Sequence, residues 1–431
     1  MKRLIEEKLI DWKNRQDKKP LVVFGARQVG KSHTLLEFGK GHYENVAYFF
    51  FEGNIKLQGI FNKGVDDVHA LINDLSAFTG TKINPQTTLM IFDEIQACNA
   101  ALASLKRFYE VAPEYNIVCA GSLLGLAVKR EGFSFPVGKV EILHMFPMNF
   151  QEFLMATDND HLIESIKESF KNNKELTLHD KALELYRTYL IVGGMPEAVR
   201  TYLETKDWTL IKAKQMYIHE TYARDMSKYS TQSEAKRADA AYNSIPFQLA
   251  KENRKFQYNL IKSGARAKDY ENSLDWLKQA GAILQCTKVK EGKLPLNFYV
   301  DPLSYKVYMA DVGLLAAKND SIPMNIMADK NIGGEAKGAL TENYIAQQLA
   351  GNEIPLYYWE SDGMAEIDFV WQGTETVLPI EAKSADNVKA KSLKQFVGKY
   401  SPKYSIRISA KNFGFKNNIK SVPLYAVWCI K

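Results

Sequence analysis

The sequence predicts an α/β fold whose first part is built on a parallel sheet. Apolar runs recur at Leu21–Phe24, Val46–Phe51, Leu89–Glu94 and Asn116–Ser122. Continuously apolar runs are typical of parallel strands that helices cover on both faces. A glycine-rich segment, GARQVGKS at Gly25–Ser32, follows the first run, and the third run ends in two acidic residues. Together these features predict a covered sheet with polar groups gathered at one edge.

Length and composition place the chain among ordinary globular proteins. Its 431 residues are too many for a single hydrophobic core, so about two to four domains are expected. Hydrophobic residues make up 46% and charged residues 25%, and no stretch approaches the roughly 18 apolar residues of a membrane span. The charged first twenty residues argue against a secretory signal. Four cysteines without metal-ligand spacing indicate a reducing compartment, and we expect the cytoplasm: Cys98, Cys119, Cys286 and Cys429.

The net charge of +6 is unevenly distributed. From Ala382 to the end there are eleven cations and one anion, Asp386, so the preceding residues carry 45 cations and 49 anions. A basic C-terminal surface suggests a polyanionic partner such as nucleic acid. The alternative is a lysine-rich face that only contacts solvent.

A helix is predicted at residues 2–15, because Leu4, Ile5, Leu9 and Trp12 fall on one face. The segment that follows the first strand matches the phosphate-loop pattern G-x-x-x-x-G-K-S/T. Its backbone N–H groups and the next helix N-terminus would hold phosphate oxygens. Lys31 would reach the β- and γ-phosphates and Ser32 would hold Mg²⁺. The expected ATP-binding residues are Gly25, Ala26, Arg27, Gln28, Val29, Gly30, Lys31 and Ser32. The alternative is a glycine turn followed by a lysine.

Further polar residues follow the later strands. Asp93 would hold Mg²⁺ or its water shell, and Glu94 would orient the water that attacks the γ-phosphate. Ser122, after the fourth strand, would sense the γ-phosphate; the alternative is a helix N-cap. Lys31, Asp93, Glu94 and Ser122 are therefore the expected catalytic residues of an ATPase.

Longer stretches carry a resemblance to a known family. GARQVGKS, IFDE, CAGS, FPVGKVEILHMFPMNFQEFL and YLIVGGMPEAV resemble a large prokaryotic family of AAA-superfamily P-loop ATPases with a C-terminal domain of unknown function. The resemblance covers essentially the whole chain. It implies an ATPase core at residues 1–150 with strand order 5-1-4-3-2 and a helical lid at 151–232. In the lid, Pro196 of the GGMP turn would lie against the adenine. Ring formation is usual for AAA relatives, so an oligomer is possible.

One position departs from the family pattern. Family members often have Arg after the glycine of the VGK stretch, where this chain has Lys139, which lacks the planar guanidinium fork. Arg130 is the other candidate for a charge-stabilising finger.

The middle segment, residues 233–300, is predicted to be a winged helix. SIPFQLAKEN indicates a second short helix, RAKDYENSLDWLKQAG a third, and AILQCTKVKEGKLPLNFYV a hairpin around Glu291 and Gly292. The segment carries twelve cations and seven anions, so its charge permits DNA contact. Winged helices also serve as spacers and protein docking modules.

The C-terminal segment, residues 301–431, holds a second set of acids. GALTE at Gly338–Glu342 is predicted on a helix, AEIDFV and LPIEAK on strands, and QFVGKY on a following helix. Together they resemble the PD-(D/E)XK nuclease superfamily, an α/β restriction-endonuclease-like fold. Alternation along a strand places Glu381 and Lys383 on one face, with Asp368 on the neighbouring strand.

These acids predict a metal site. Glu342, Asp368 and Glu381 would share one or two Mg²⁺, and Lys383 would stabilise an attacking hydroxide or the charge on phosphate. Glu366 and Glu360 are possible replacements. The alternative is a charged strand face in solvent, and some members of this superfamily keep the fold without metal binding.

Two functions follow. In the first, ATP hydrolysis controls a nuclease-like domain that acts on nucleic acid. In the second, the chain is a nucleotide-dependent switch or scaffold that grips a protein partner through a catalytically silent nuclease fold. Neither involves a membrane.

Overall fold

The chain forms two compact units. The computed structural model describes residues 1–64, 67–122, 135–229, 231–251, 254–321, 323–329, 333–361, 365–383 and 391–431. The N-terminal unit contains residues 2–146 with 279–281, and the C-terminal unit contains residues 147–278 with 282–431. The helices predicted to form a lid thus cluster with the C-terminal segments.

The N-terminal unit alternates strands and helices. Its elements are α1 (Ile5–Asn14), β1 (Leu21–Phe24), α2 (Lys31–His42), β2 (Asn45–Phe50), α3 (Ile55–Asn62), α4 (Val68–Thr79), β3 (Thr88–Asp93), α5 (Asn99–Val111), β4 (Asn116–Gly121) and β5 (Glu141–His144). Within the described residues the sheet has five strands in the order β2-β3-β4-β1-β5, and every pairing is parallel. This confirms the predicted order 5-1-4-3-2.

Apolar burial holds this unit together. β3 and β4 are buried along their whole lengths, as expected for central parallel strands with helices on both faces. The ring of Phe92 lies 5.5 Å from Phe49 and 5.7 Å from Phe61, both edge-on. The predicted first helix is confirmed as α1, which buries Ile5 and Leu9.

The C-terminal unit begins with helices and ends with a large sheet. Its elements are α6 (Phe150–Ala156), α7 (Asp160–Asn172), α8 (His179–Val192), α9 (Pro196–Thr205), α10 (Trp208–Tyr229), α11 (Gln232–Leu249), α12 (Ala267–Gln279), β6 (Ile283–Val289), β7 (Val300–Met309), α13 (Val312–Lys318), α14 (Pro323–Ala328), α15 (Gly334–Gly351), β8 (Tyr357–Ser361), β9 (Ala365–Gln372), β10 (Val377–Ala382), α16 (Lys391–Tyr400), β11 (Ser405–Ser409), β12 (Gly414–Lys416) and β13 (Ile419–Pro423). Among the helices so described, none is both long and apolar enough to cross a bilayer.

The sheet of this unit is mixed. Over the described ranges it has eight strands in the order β12-β13-β11-β10-β9-β8-β6-β7. β9 pairs antiparallel with both β8 and β10. β11, the strand that follows α16, pairs parallel with β10. The predicted secondary structure of GALTE, AEIDFV, LPIEAK and QFVGKY is confirmed, since they lie in α15, in β9, at β10 and in α16.

The middle segment differs from the expected winged helix in two places. SIPFQLAKEN is not a separate helix, because its first six residues complete α11, which continues through Pro246. A proline near a helix C-terminus removes few backbone hydrogen bonds. The second strand of the hairpin starts only at Val300, since Pro295 precedes a 3₁₀ turn at Leu296–Tyr299.

The hairpin also belongs to the large sheet. β6 pairs antiparallel with β7 and parallel with β8. β7 spans Val300–Met309 and so extends across the expected start of the last domain at residue 301. The boundary expected between residues 300 and 301 therefore falls within one sheet.

Candidate active site

The phosphate loop lies at the carboxyl edge of the N-terminal sheet. β4 separates β1 from β3, with Phe24 aligned with Gly121 and Asp93 with Ala120. Because the strands are parallel, their carboxyl ends meet at one edge. The phosphate loop, the acidic pair after β3 and Ser122 after β4 therefore lie at the same edge, as the sequence predicted.

Two glycines allow the loop to take its course. A Cβ at Gly25 would lie 2.2 Å from the carbonyl oxygen of Met145, far inside van der Waals contact. Gly30 precedes α2 with φ +95°, in the left-handed region where side chains are strained. The two glycines of the pattern are thus required by close approach and by backbone conformation.

Lys31 is a buried cation beside the loop. Its Nζ donates to the carbonyl oxygens of Gly25 and Ala26, each at 2.8 Å. Burial lowers the pKa of Lys31 to about 8, although the carboxylates of Glu94 and Asp93 favour its charged form. The ammonium therefore lies among the loop carbonyls and close to both acids.

Asp93 is held by two donors. Its Oδ2 accepts a hydrogen bond of 2.6 Å from the Tyr48 hydroxyl, and its Oδ1 accepts one of 3.0 Å from the Glu94 backbone N–H. Burial and the bond to Asp93 raise the pKa of Tyr48, so Tyr48 remains a donor at all ordinary pH values. These contacts fix the carboxylate plane at the strand end.

Glu94 has an unusual backbone conformation. Its φ is +51° and its ψ is 42°, a left-handed conformation that is uncommon for a residue other than glycine and occurs often at functional sites. Burial raises the pKa of its carboxyl, while Lys31 and a hydrogen bond from Gln96 oppose the shift. The strained turn directs Glu94 away from the path of β3.

The donor groups suit a magnesium nucleotide. Ser32 is half-buried in the first turn of α2, Asp93 is buried at the end of β3, and Ser122 is buried directly after β4. Hydroxyl and carboxylate oxygens are the protein ligands that Mg²⁺ prefers, and nucleotide phosphates and water supply the rest. An N-cap role for Ser122 would involve residues 123–134, which lie outside the described residues.

In the C-terminal unit, Glu342 lies among cations. It is buried on α15, where its Oε1 forms an ion pair with Arg254. Its Oε2 accepts a hydrogen bond of 3.1 Å from the Tyr308 hydroxyl and lies 3.6 Å from Lys306 Nζ. Glu342 thus contacts two cationic side chains and one hydroxyl group.

The two strand acids predicted beside Glu342 have their own partners. Asp368 Oδ2 accepts a hydrogen bond of 2.8 Å from the Ala382 N–H. Glu381 is buried, with its Oε1 3.0 Å from Lys383 Nζ and its Oε2 3.7 Å from Arg407 Nε. The predicted pairing of Glu381 and Lys383 on one face is confirmed, and the two form an ion pair.

The replacement acids are also paired. Glu360 lies 2.6 Å from Lys255 Nζ and 2.9 Å from Lys288 Nζ. Glu366 Oε1 lies 2.5 Å from Lys306 Nζ. Through the described ranges, no group of three or more His, Cys, Asp or Glu side chains is arranged to hold a metal ion.

The predicted three-carboxylate metal site of Glu342, Asp368 and Glu381 stays a prediction. In the structure, internal cations and an N–H group contact these carboxylates.

The GGMP turn is a packed junction within the C-terminal unit. The Gly194 N–H donates to Asp311 Oδ2 at 2.6 Å, and the Met148 N–H donates to the Gly194 carbonyl at 2.7 Å. Gln347 of α15 donates to the same Asp311 oxygen at 3.0 Å. Pro196 follows this turn as the first residue of α9. Its proposed contact with adenine stays a prediction.

Comparison with known families gives a match around the phosphate loop. Residues 17–154 match the model of an AAA domain. This segment is similar to AAA domains and contains the phosphate loop at Gly25–Ser32. Residues 183–323 and 337–427 match two families described as domains of unknown function, DUF8612 and DUF4143. No curated protein matches the chain significantly.

Several solved structures show a partial likeness to this chain. The Walker-type ATPase PABY2304 of Pyrococcus abyssi is 15% identical, with a TM-score of 0.45, over 74% of this chain and 95% of that chain. The ORC2 protein of Aeropyrum pernix is 12% identical, with a TM-score of 0.35, over 76% and 95%. Cdc6p of Pyrobaculum aerophilum is 11% identical, with a TM-score of 0.27, over 76% and 96%.

Lys139, one of the two finger candidates, does not lie at the phosphate loop of the N-terminal unit. Lys139 precedes β5, and β5 runs parallel to β1 with Glu141 aligned with Leu21. Lys139 is thus at the edge of the sheet opposite the loop, where its Nζ lies 3.1 Å from Glu110 Oε1. Arg130 lies outside the described residues.

Several site residues escaped prediction from the sequence. Tyr48 of the AAA domain lies in an apolar strand, so its hydroxyl gave no signal. Lys306 did give a signal in the sequence, because it is a lysine within the apolar and aromatic run SYKVYM. Arg254 lies outside any motif, and Arg407 is revealed only by its alignment with Glu381 in the sheet.

Proposed function

We propose that the chain is a Mg²⁺-dependent ATPase that hydrolyses ATP at the edge of the N-terminal sheet. The observation that carries the proposal is that four side chains lie at one edge of the parallel sheet. Lys31 follows the loop after β1, Asp93 and Glu94 lie at the end of β3, and Ser122 follows β4. The match of residues 17–154 to an AAA domain supports it.

Each side chain then has a distinct task. The loop N–H groups and the dipole of α2 bind phosphate oxygens. When ATP binds, the Lys31 ammonium leaves the carbonyl oxygens of Gly25 and Ala26 and contacts the β- and γ-phosphates. Ser32 and Asp93 would hold Mg²⁺, which supplies charge neutralisation on the phosphates when bound. Glu94 orients the attacking water, and Ser122 donates to the γ-phosphate.

Phosphate release by the purified full chain tests this function. We expect turnover with ATP and Mg²⁺, none in EDTA, and none in Lys31→Ala. Glu37→Gln is a matched control, because Glu37 is exposed on α2 and pairs with Lys40. Activity in EDTA, or an active Lys31→Ala variant, would contradict the proposal.

We further propose that the C-terminal unit binds a polyanion, with nucleic acid as the partner. Exposed lysines support this proposal: on α16 these are Lys391, Lys394 and Lys399, and beyond it Lys403, Lys411 and Lys416. Lysines near a phosphate backbone release counterions, so affinity falls steeply with salt.

Nucleic-acid binding is separable from the scaffold alternative. Labelled DNA in a salt series should bind at low salt and lose affinity with a slope near −0.9 for each phosphate neutralised. Lys391→Gln with Lys394→Gln should reduce the slope by about 2, while the exposed N-terminal pair Lys63→Gln and Lys82→Gln should leave it unchanged. Absence of binding at low salt favours a protein partner.

Nuclease activity stays a prediction from the sequence. The element order α15-β8-β9-β10-α16-β11 supports it, while the ion pairs of Glu342 and Glu381 favour the catalytically silent alternative. Plasmid nicking with Mg²⁺ or Mn²⁺ that is lost in Asp368→Ala would favour the nuclease.

A further inference from the structure

A fully buried ammonium contacts two members of the C-terminal acid cluster, which consists of Glu342, Glu366, Asp368 and Glu381. Lys306 of β7 has 0% of its side chain exposed, and its Nζ lies 2.5 Å from Glu366 Oε1 and 3.6 Å from Glu342 Oε2. The same Nζ lies 5.1 Å from the centroid of the Tyr358 ring. A buried ammonium is costly unless carboxylates compensate its charge. The two carboxylates compensate Lys306 by charge, although within the described residues no acceptor is aligned for a hydrogen bond with its Nζ.

Glu342 has both oxygens engaged. Arg254 pairs with Oε1, while the Tyr308 hydroxyl and Lys306 share Oε2. With the exposed fraction of its side chain at only 4%, the carboxylate has little room for another ligand. A metal would have to displace a cation rather than water.

The cations continue along the sheet. Glu381 on β10 aligns with Arg407 on β11 and contacts Lys383 as well. Each buried acid of the cluster thus faces at least one base. Charge balance is internal, and a further divalent cation would be repelled by the ammonium and guanidinium groups.

We propose that the Lys306 ammonium occupies the position of a metal cation in this cluster and so excludes a metal ion from it. The C-terminal fold is then held together by its own cation and binds its partner without divalent metal. The proposal is independent of ATP hydrolysis in the AAA domain, since none of its residues belongs to that domain.

The sign of a stability change tests this proposal first. Glu342→Gln removes a partner of two buried cations, so we expect the thermal midpoint of the full chain to fall by about 5–10 °C. In an empty metal site the acids would repel one another, and the same change would raise the midpoint. Glu335→Gln, exposed in the first turn of the same helix, should have no effect. A raised or unchanged midpoint in Glu342→Gln would overturn the proposal.

Metal binding gives the second test. Nucleotide-free full chain titrated with Mn²⁺, followed by electron paramagnetic resonance, should show no site tighter than about 1 mM. Lys306→Met removes the ammonium but keeps the length of the side chain, and should gain a site at least about tenfold tighter. A wild-type site that disappears in Glu342→Gln would overturn the proposal, as would a folded Lys306→Met chain without a new site. If Lys306→Met fails to fold, the sign of the Glu342→Gln effect decides.

Discussion

The Tyr48 hydroxyl donates a hydrogen bond of 2.6 Å to Oδ2 of Asp93, and so joins the edge strand of the N-terminal sheet to its acidic strand end. The neighbouring Oδ1 is engaged by the Glu94 N–H. Outer-shell donors of this kind fix the orientation of metal-binding carboxylates. We therefore expect Tyr48 to position Asp93 for the proposed magnesium site.

Tyr48→Phe should weaken the response to Mg²⁺ more than the affinity for ATP. Loss of the hydroxyl leaves Asp93 Oδ2 without this donor, so the Mg²⁺ concentration for half-maximal hydrolysis should rise about tenfold. Steady-state phosphate release across a Mg²⁺ series measures this. Tyr43→Phe, at another tyrosine of the same unit, should match the wild type. Equal Mg²⁺ dependence in both variants would refute the role of Tyr48.

Glu94→Gln should trap ATP. The amide keeps the size of the side chain but cannot polarise water as a carboxylate does, so turnover should fall by about 10²–10⁴. ATP affinity, measured with a fluorescent analogue, should change little. The assignment of Glu94 fails if turnover stays near the wild-type value.

ATP affinity should depend on alkaline pH through Lys31. Its pKa is lowered to about 8 by burial, so the free protein loses the phosphate-binding charge as pH rises above that value. The apparent Kd for ATP should therefore increase between pH 8 and pH 9.5, a range in which an ordinary lysine stays protonated. Lys31→Arg, which stays charged, should bind more weakly at pH 7 but show no such rise. A flat wild-type profile to pH 9.5 would contradict the lowered pKa.

Gly194→Ala should destabilise the C-terminal unit. A Cβ there would lie 1.9 Å from the Met148 carbonyl oxygen, a backbone atom that cannot move alone. We expect a loss of about 2–3 kcal/mol in the free energy of unfolding. Gly59→Ala is the matched control, because its Cβ would meet nothing within 4 Å and alanine favours the helix. Urea unfolding of both variants measures the difference, and equal midpoints would contradict the packing at Gly194.

The sequence predicted local features better than long-range ones. Apolar runs and the phosphate-loop pattern located the strands and the edge that carries Lys31 and Asp93, since parallel strands bring their carboxyl ends together. The pairing of β6 with β8 was missed because strand pairing depends on contacts far apart in sequence. The cations around Glu342 were missed for the same reason, because Arg254 and Lys306 lie in segments of the chain outside the motif.

Isothermal titration of the folded full chain with ATP in magnesium buffer tests the central claim most directly. Binding of one ATP per chain to the wild type, and no heat with Lys31→Ala, is the result that the phosphate-loop assignment predicts. No heat with ATP or ADP in the wild type, or undiminished binding by a folded Lys31→Ala chain, would contradict it.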